Sequence, residues 1–178
     1  MLRRLLALCG LLALALAGSG IALARSAPTL TATGPTSVAG TDASAVFTVA
    51  ERTVRQVRYA DGGTLHYTFR LTNDDMLPVS LVALASEQPP SRLFQPAGVT
   101  PVELGPGDSA EVTLDLAMSG CESLSARAGA FVTEVVLRVE RGGVFSDHVA
   151  VTLPEELHTG SPREAFCPNS TATSRPPG

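Results

Sequence analysis

The chain has no lysine and no tryptophan. Its 13 basic residues are all arginine, and two tyrosines and six phenylalanines are its aromatics. Without lysine there is no amine for a Schiff base, no lysine nucleophile and no phosphate-loop lysine. Cysteine is scarce too, at three residues. Cys121 and Cys167 each lack a Cys or His two to four residues away, the spacing a zinc site needs. A copper sandwich wants a Cys followed closely by His and then Met, but Cys167 leads into Pro168-Asn169-Ser170. Excess positive charge is also missing: the formal net charge is −4, which argues against general nucleic-acid binding.

The long apolar run lies at the start. Arg3 and Arg4 precede grease from Leu5 to about Ala17, and small residues then close on Ala22-Leu23-Ala24. Charge, apolar core and an A-x-A step describe a secretory signal peptide over residues 1–24, with the mature chain starting at Arg25. Kept uncleaved, the same stretch is about long enough to span a bilayer as an anchor. Cys9 sits inside the apolar core behind the bulky Leu8, too early for a lipoprotein site. Removal of the leader leaves 11 arginines against 17 acids, a formal charge of −6. The abundance of Ala, Gly, Val and Pro with Arg as sole cation fits a GC-rich genome.

Export changes the meaning of the cysteines. Cys121 and Cys167 remain as an even pair in an oxidising compartment, which predicts a disulfide. It would close a loop of about 46 residues and, by loop-closure entropy, add roughly 4 kcal/mol.

Alternation dominates the remainder of the chain. Leu65, Tyr67, Phe69 and Leu71 alternate with Thr64, His66, Thr68 and Arg70, the period of a half-buried strand. Asp61-Gly62-Gly63 before it suggests a hairpin turn, with Arg52 to Tyr59 as the antiparallel partner. A second hairpin joins Phe131–Glu140 to Val144–Leu153 through Arg141-Gly142-Gly143. Further strands are expected at Ser44–Ala50, Val79–Ala85 and Ser109–Ala117, with Thr29–Thr33 a possible addition. Seven or eight short strands without helical period predict an all-β, two-sheet sandwich of antiparallel strands. Residues 44–160 form its body, 25–43 an N-terminal extension or edge strand. Ser86 to Thr100, with Pro89, Pro90 and Pro96, is expected to be a long Greek-key connection between the sheets. Residues 161–178 are polar and proline-rich, a segment tied by Cys167 and then a disordered tail.

Three strings carry a resemblance: Tyr67-Thr68-Phe69-Arg70-Leu71-Thr72-Asn73, Pro78-Val79-Ser80-Leu81, and Leu104-Gly105-Pro106-Gly107-Asp108 running into Ser109–Leu114. Together they resemble the immunoglobulin-like domains of bacterial secreted and surface proteins, over roughly Ser44 to Pro154. The resemblance implies an immunoglobulin-like Greek-key sandwich, and its motifs are structural rather than functional. The missing Trp and the positions of Cys121 and Cys167 depart from antibody-type domains.

Catalytic patterns fare poorly. Gly107-Asp108-Ser109 echoes a hydrolase nucleophile, but Ser109 opens an alternating strand after a turn, with no base or oxyanion hole suggested. Leu153-Pro154-Glu155-Glu156 has the wrong spacing for a sortase signal. The chain is therefore expected not to be an enzyme and to need no cofactor. Its expected function is a secreted or envelope-associated interaction module that binds another envelope protein or a surface polymer, through loops or an open sheet edge. It touches a membrane only through the N-terminal segment if that is uncleaved. Leu93 and Phe94 in the long connection are either partner contacts or a cap on the core. Arg52, Arg58 and Arg70, with Arg55, are the candidate anion-binding contacts, although 52, 55 and 58 do not share strand parity.

The alternative is an extracytoplasmic carrier of a metal or small ligand. His66 and His148, were their strands to pair, would supply nitrogen ligands, with Asp147 close by and His158 on its own. Asp74 and Asp75, next to Asn73, would supply oxygens, though without the alternate-residue acids of a calcium loop. Turn chemistry explains such an Asx cluster equally well.

Overall fold

The computed structural model describes residues 26–41, 43–58, 62–91, 94–118 and 130–159. These residues form ten strands and, among themselves, no helix: β1 (Leu30–Ala39), β2 (Ala43–Val49), β3 (Arg52–Arg58), β4 (Thr64–Asn73), β5 (Val79–Leu84), β6 (Phe94–Val99), β7 (Val102–Leu104), β8 (Ser109–Met118), β9 (Ala130–Arg141) and β10 (Phe145–Thr159). They build two sheets, one ordered β1-β4-β8-β6 and the other β2-β3-β10-β9-β5-β7. All pairings are antiparallel except β3 with β10. The leader, Cys121, Cys167 and the C-terminal tail lie outside the described residues.

Period-two patterning explains the core. On β4 the residues Leu65, Tyr67, Phe69 and Leu71 are fully buried, and on β8 so are Val112, Leu114 and Leu116. The two strands pair so that Tyr67 stands opposite Leu114 and Phe69 opposite Val112. The facing sheet contributes Leu81, Val135, Leu137, Val139, Val151 and Leu157. Burying these faces against each other is the main drive for the two-layer architecture.

The β9–β10 hairpin forms as its sequence predicts, Arg141 opposite Phe145 across the two glycines. The first expected hairpin does not. β3 pairs with β2 and β10, while β4 pairs with β1 and β8 in the other sheet. The reason lies in the inward face of β3, where Arg55 finds a carboxylate on β10 that β4 cannot offer. The connection Ser86–Thr100 does cross between sheets, but β6 forms inside it, and Phe94 is fully buried. Phe94 thus caps the core rather than serving as an exposed contact; Leu93 lies outside the described residues.

β10 is longer than expected and irregular. Thr152 pairs with Glu134 and Leu157 with Val132, so four residues, 153–156, stand against one on β9. This bulge surrounds Pro154, which has no N–H to give a ladder. Beyond it β10 acquires β3 as its parallel neighbour.

Candidate functional site

The rim formed by β2 and β3 combines an open edge with a buried ion pair. β2 runs Ala43 to Val49 in unbroken antiparallel register with β3, from Ala43 opposite Arg58 to Val49 opposite Arg52. A two-residue turn joins them, with Ala50 at a φ of 55°, the left-handed region that an alanine seldom adopts. Among the described residues no strand lies on the far side of β2. Its side chains from Ser44 to Val49 are all exposed, and Val46, Phe47 and Val49 keep about half of their surface in water. Three neighbouring large apolar side chains on an unpaired edge are costly to leave exposed, and such edges pair readily with another strand.

Opposite residues in this hairpin share a face, so Ser44, Val46 and Thr48 look inward with Arg55 and Val57, and Ala45, Phe47 and Val49 look outward. The inward face is anchored by Arg55. Its Nε donates to Glu155 Oε2 at 2.5 Å, Nη2 to Glu155 Oε1 at 3.0 Å, and Nη1 to Ser44 Oγ at 2.8 Å. Glu155 sits in the β10 bulge with only 6% of its side chain exposed. The two parallel bonds of a planar guanidinium to one carboxylate make the strongest type of side-chain pair. Tyr67 approaches from the opposite sheet. Burial, then the Glu155 charge, pushes its phenol far above the ordinary value, with Arg55 opposing, so the hydroxyl stays neutral. Arg55 therefore ties β2 and β3 to β10, while the buried Tyr67 hydroxyl beside the pair makes no hydrogen bond of its own. Outside it, Arg52 Nη1 reaches Glu156 Oε2 at 2.9 Å, and these residues with Thr133, Thr152 and Pro154 line a shallow groove over the bulge.

The arginines foreseen as an anion-binding patch are dispersed. Arg52 and Arg55 are held by Glu156 and Glu155. Arg58 closes the β3 end, and Arg70 stands exposed on β4, in the other sheet, opposite Glu111.

The candidate metal ligands do not converge either. His66 lies on β4 and His148 on β10, strands of different sheets that do not pair. His66 Nδ1 and Asp115 Oδ1 are 2.7 Å apart, as cross-strand neighbours at the surface. With 50% and 40% of the side chains exposed, such a pair adds at most about 1 kcal/mol. His148 is exposed opposite Arg138. Asp74 accepts from Thr31 Oγ1 at 2.5 Å, whereas Asp75 turns away to the buried Arg141 guanidinium. Arg141 also donates to the Ser26 carbonyl at 2.8 Å. Asn73, fully buried, donates to the carbonyls of Leu77, Leu104 and Gly105 and accepts from Asp75 N–H at 3.1 Å. The Asn73-Asp74-Asp75 cluster is a loop pin, as turn chemistry allows. Among the described residues no three His, Cys, Asp or Glu side chains gather as a metal site. Ser109 pairs through its hydroxyl with Thr72 at 2.8 Å, two strand-end hydroxyls side by side.

Sequence patterning places β2 as a strand but does not single out Val46, Phe47 and Val49. The available signal is a seven-residue strand without charge, proline or glycine. Glu155 also escapes as an inward residue, although Val149, Val151, Leu153, Glu155 and Leu157 share one parity. Among the described residues no helix is long and apolar enough to cross a membrane. A comparison with protein-family models finds no match, and a comparison with curated proteins finds none.

Proposed function

We propose that the chain is an exported, non-catalytic interaction module that binds through the open edge of β2. The exposed Val46, Phe47 and Val49, on a strand paired with β3 along one edge and open along the other among the described residues, carry this reading. Export rests on the charged, apolar and A-x-A pattern of residues 1–24. The partner class is a protein of the cell envelope, since a bare strand edge offers main-chain hydrogen bonds that another strand satisfies. A Cys121–Cys167 disulfide belongs to the same proposal.

The finer fold assignment is immunoglobulin-like. In its support, β1-β4-β8-β6 follows the strand order A-B-E-D, and β10-β9-β5 follows G-F-C; β7, which comes after β6 in the chain, is an addition beside β5. The parallel pairing of β3 with β10 occupies the position of a strand shared between sheets, and β2 adds one strand beyond it.

The test compares wild type with Val46→Arg, immobilised and exposed to envelope extract of the native host. Specific retention by wild type, lost in the folded variant, is the expected result. Equal retention by both removes the β2 edge as the binding surface. Intact mass before and after reduction reports the start at Arg25 and the thiol state in the same sample.

A further inference from the structure

Four strands end the two sheets among the described residues, and three of them are blunted. β1 breaks at Gly34-Pro35, where its register on β4 shifts between Thr33 and Ser37. β6 carries Pro96 and shifts register beside it. β7 has only three residues. Bulges, prolines and short length are the devices that stop sheet edges from pairing with other chains. β2 has none of them, nor any charged residue.

We propose that β2 pairs antiparallel with β2 of a second copy of this chain, about a twofold axis at Val46. The inference rests on the reading of β2 as the interaction edge and names its partner.

The strand is complementary to itself in one register. With Val46 opposite Val46 of the second copy, Ala45 meets Phe47 on the outer face and Ser44 meets Thr48 on the inner face. A phenyl ring thus gains room beside a methyl group, and hydroxyl stands beside hydroxyl. Sliding by two residues ruins this, because Val46 then meets Ser44 or Thr48, and Ala45 or Phe47 meets itself. A twofold edge contact of this kind is isologous and closes at the dimer. Charge also permits it. Of the three arginines on β3 behind the edge, Arg52 and Arg55 are neutralised within their own copy by Glu156 and Glu155, and Arg58 stands at the end of the strand, opposite Ala43. β2 itself brings no charge to the seam.

The contact is small. Seven paired residues extend over about 24 Å, which places the buried area near or below about 1,200 Å², the low end for specific interfaces. The dimer is accordingly weak and concentration-dependent.

Sedimentation equilibrium of the mature wild-type protein from about 5 to 500 μM gives the test, alongside Val46→Arg and Val144→Arg. Val144 is 78% exposed at the β9–β10 turn, at the end of β10 away from the stretch that pairs with β3. Wild type and Val144→Arg should dimerise with rising concentration, while Val46→Arg stays monomeric and keeps the β-sheet circular dichroism spectrum of the wild type. Mild oxidation of Val46→Cys, followed by peptide mapping, should give a link between the two residues at position 46. Opposed residues in an antiparallel pair have Cα atoms about 4.5–5.5 Å apart, within disulfide reach. Ser44→Cys falls four residues out of step with itself and should not link. A wild type monomeric throughout, a dimer indifferent to Val46→Arg, or equal linking at 44 and 46 overturns the proposal. If a monomeric wild type still retains an envelope component that Val46→Arg loses, self-pairing fails while the interaction reading stands.

Discussion

Replacing Glu155 by alanine removes the carboxylate that holds the β2–β3 hairpin against β10. Arg55 keeps 17% of its side chain exposed and Glu155 6%, so the variant leaves a guanidinium largely out of water. Its remaining close partner in the cluster is the Ser44 hydroxyl. Breaking a buried pair from one side costs about 3–5 kcal/mol. Arg55 retains a path to solvent beside the exposed Ser44, which favours the lower figure. A loss of about 3 kcal/mol corresponds to a fall of roughly 6–12 °C in melting temperature for a domain of this size. The double variant Arg55→Met, Glu155→Leu separates pairing from packing. It removes both charges and should lie within about 1 kcal/mol of wild type, because apolar replacements of a buried pair are often neutral or better. Urea denaturation of the three proteins at neutral pH, analysed by linear extrapolation, gives the comparison. A loss under about 1 kcal/mol for Glu155→Ala would show the pair to be effectively solvated. A double variant as damaged as the single one would show that shape rather than charge matters at this site.

Two further outcomes concern the loop pin at Asp75 and the seam between β1 and β4. Burial alone would raise the Asp75 carboxyl, but hydrogen bonds from Met76 N–H and the Arg141 guanidinium outweigh it and hold its pKa below the ordinary carboxylate value. A folded pKa below the unfolded one, about 3.9, contributes stability above that value and loses it as pH falls through the folded pKa. The stability gap between wild type and Asp75→Asn, followed by urea denaturation from neutral to strongly acid pH, should therefore shrink below about pH 4; a gap constant with pH would contradict the pairing. At Gly40, with φ at 81°, an added Cβ would sit 2.0 Å from the Thr64 carbonyl oxygen. Gly40→Ala should cost more than about 2 kcal/mol through combined strain and backbone clash, and a thermal melt within a degree or two of wild type would count against the β1–β4 seam as described.

Strand faces are legible in this chain, and strand neighbours are legible only where a short turn sets them. Alternation at Leu65–Leu71 and at Ala110–Leu116 announces which residues point inward, and burial follows that parity residue by residue. A glycine pair at 142–143 set between β-branched runs announces the β9–β10 hairpin, because a local turn decides a local pairing. The similar pair at 62–63 misleads. β3 is claimed from across the chain by Glu155 and Leu157, and a partner 100 residues away in sequence leaves no periodic trace in β3 itself. The same limit hides β6, since a proline-rich stretch shows no alternation even where it forms an edge strand, although a core cap at Phe94 is one of the two readings its sequence allows. It also hides the significance of Ala43–Val49. Between two other strands these seven uncharged residues would be ordinary. They become an exception only because the strand order ends there among the described residues, while β1, β6 and β7 close their edges with prolines, register shifts or brevity. An open edge is a property of topology, so its function becomes arguable only once every other edge is known to be shut.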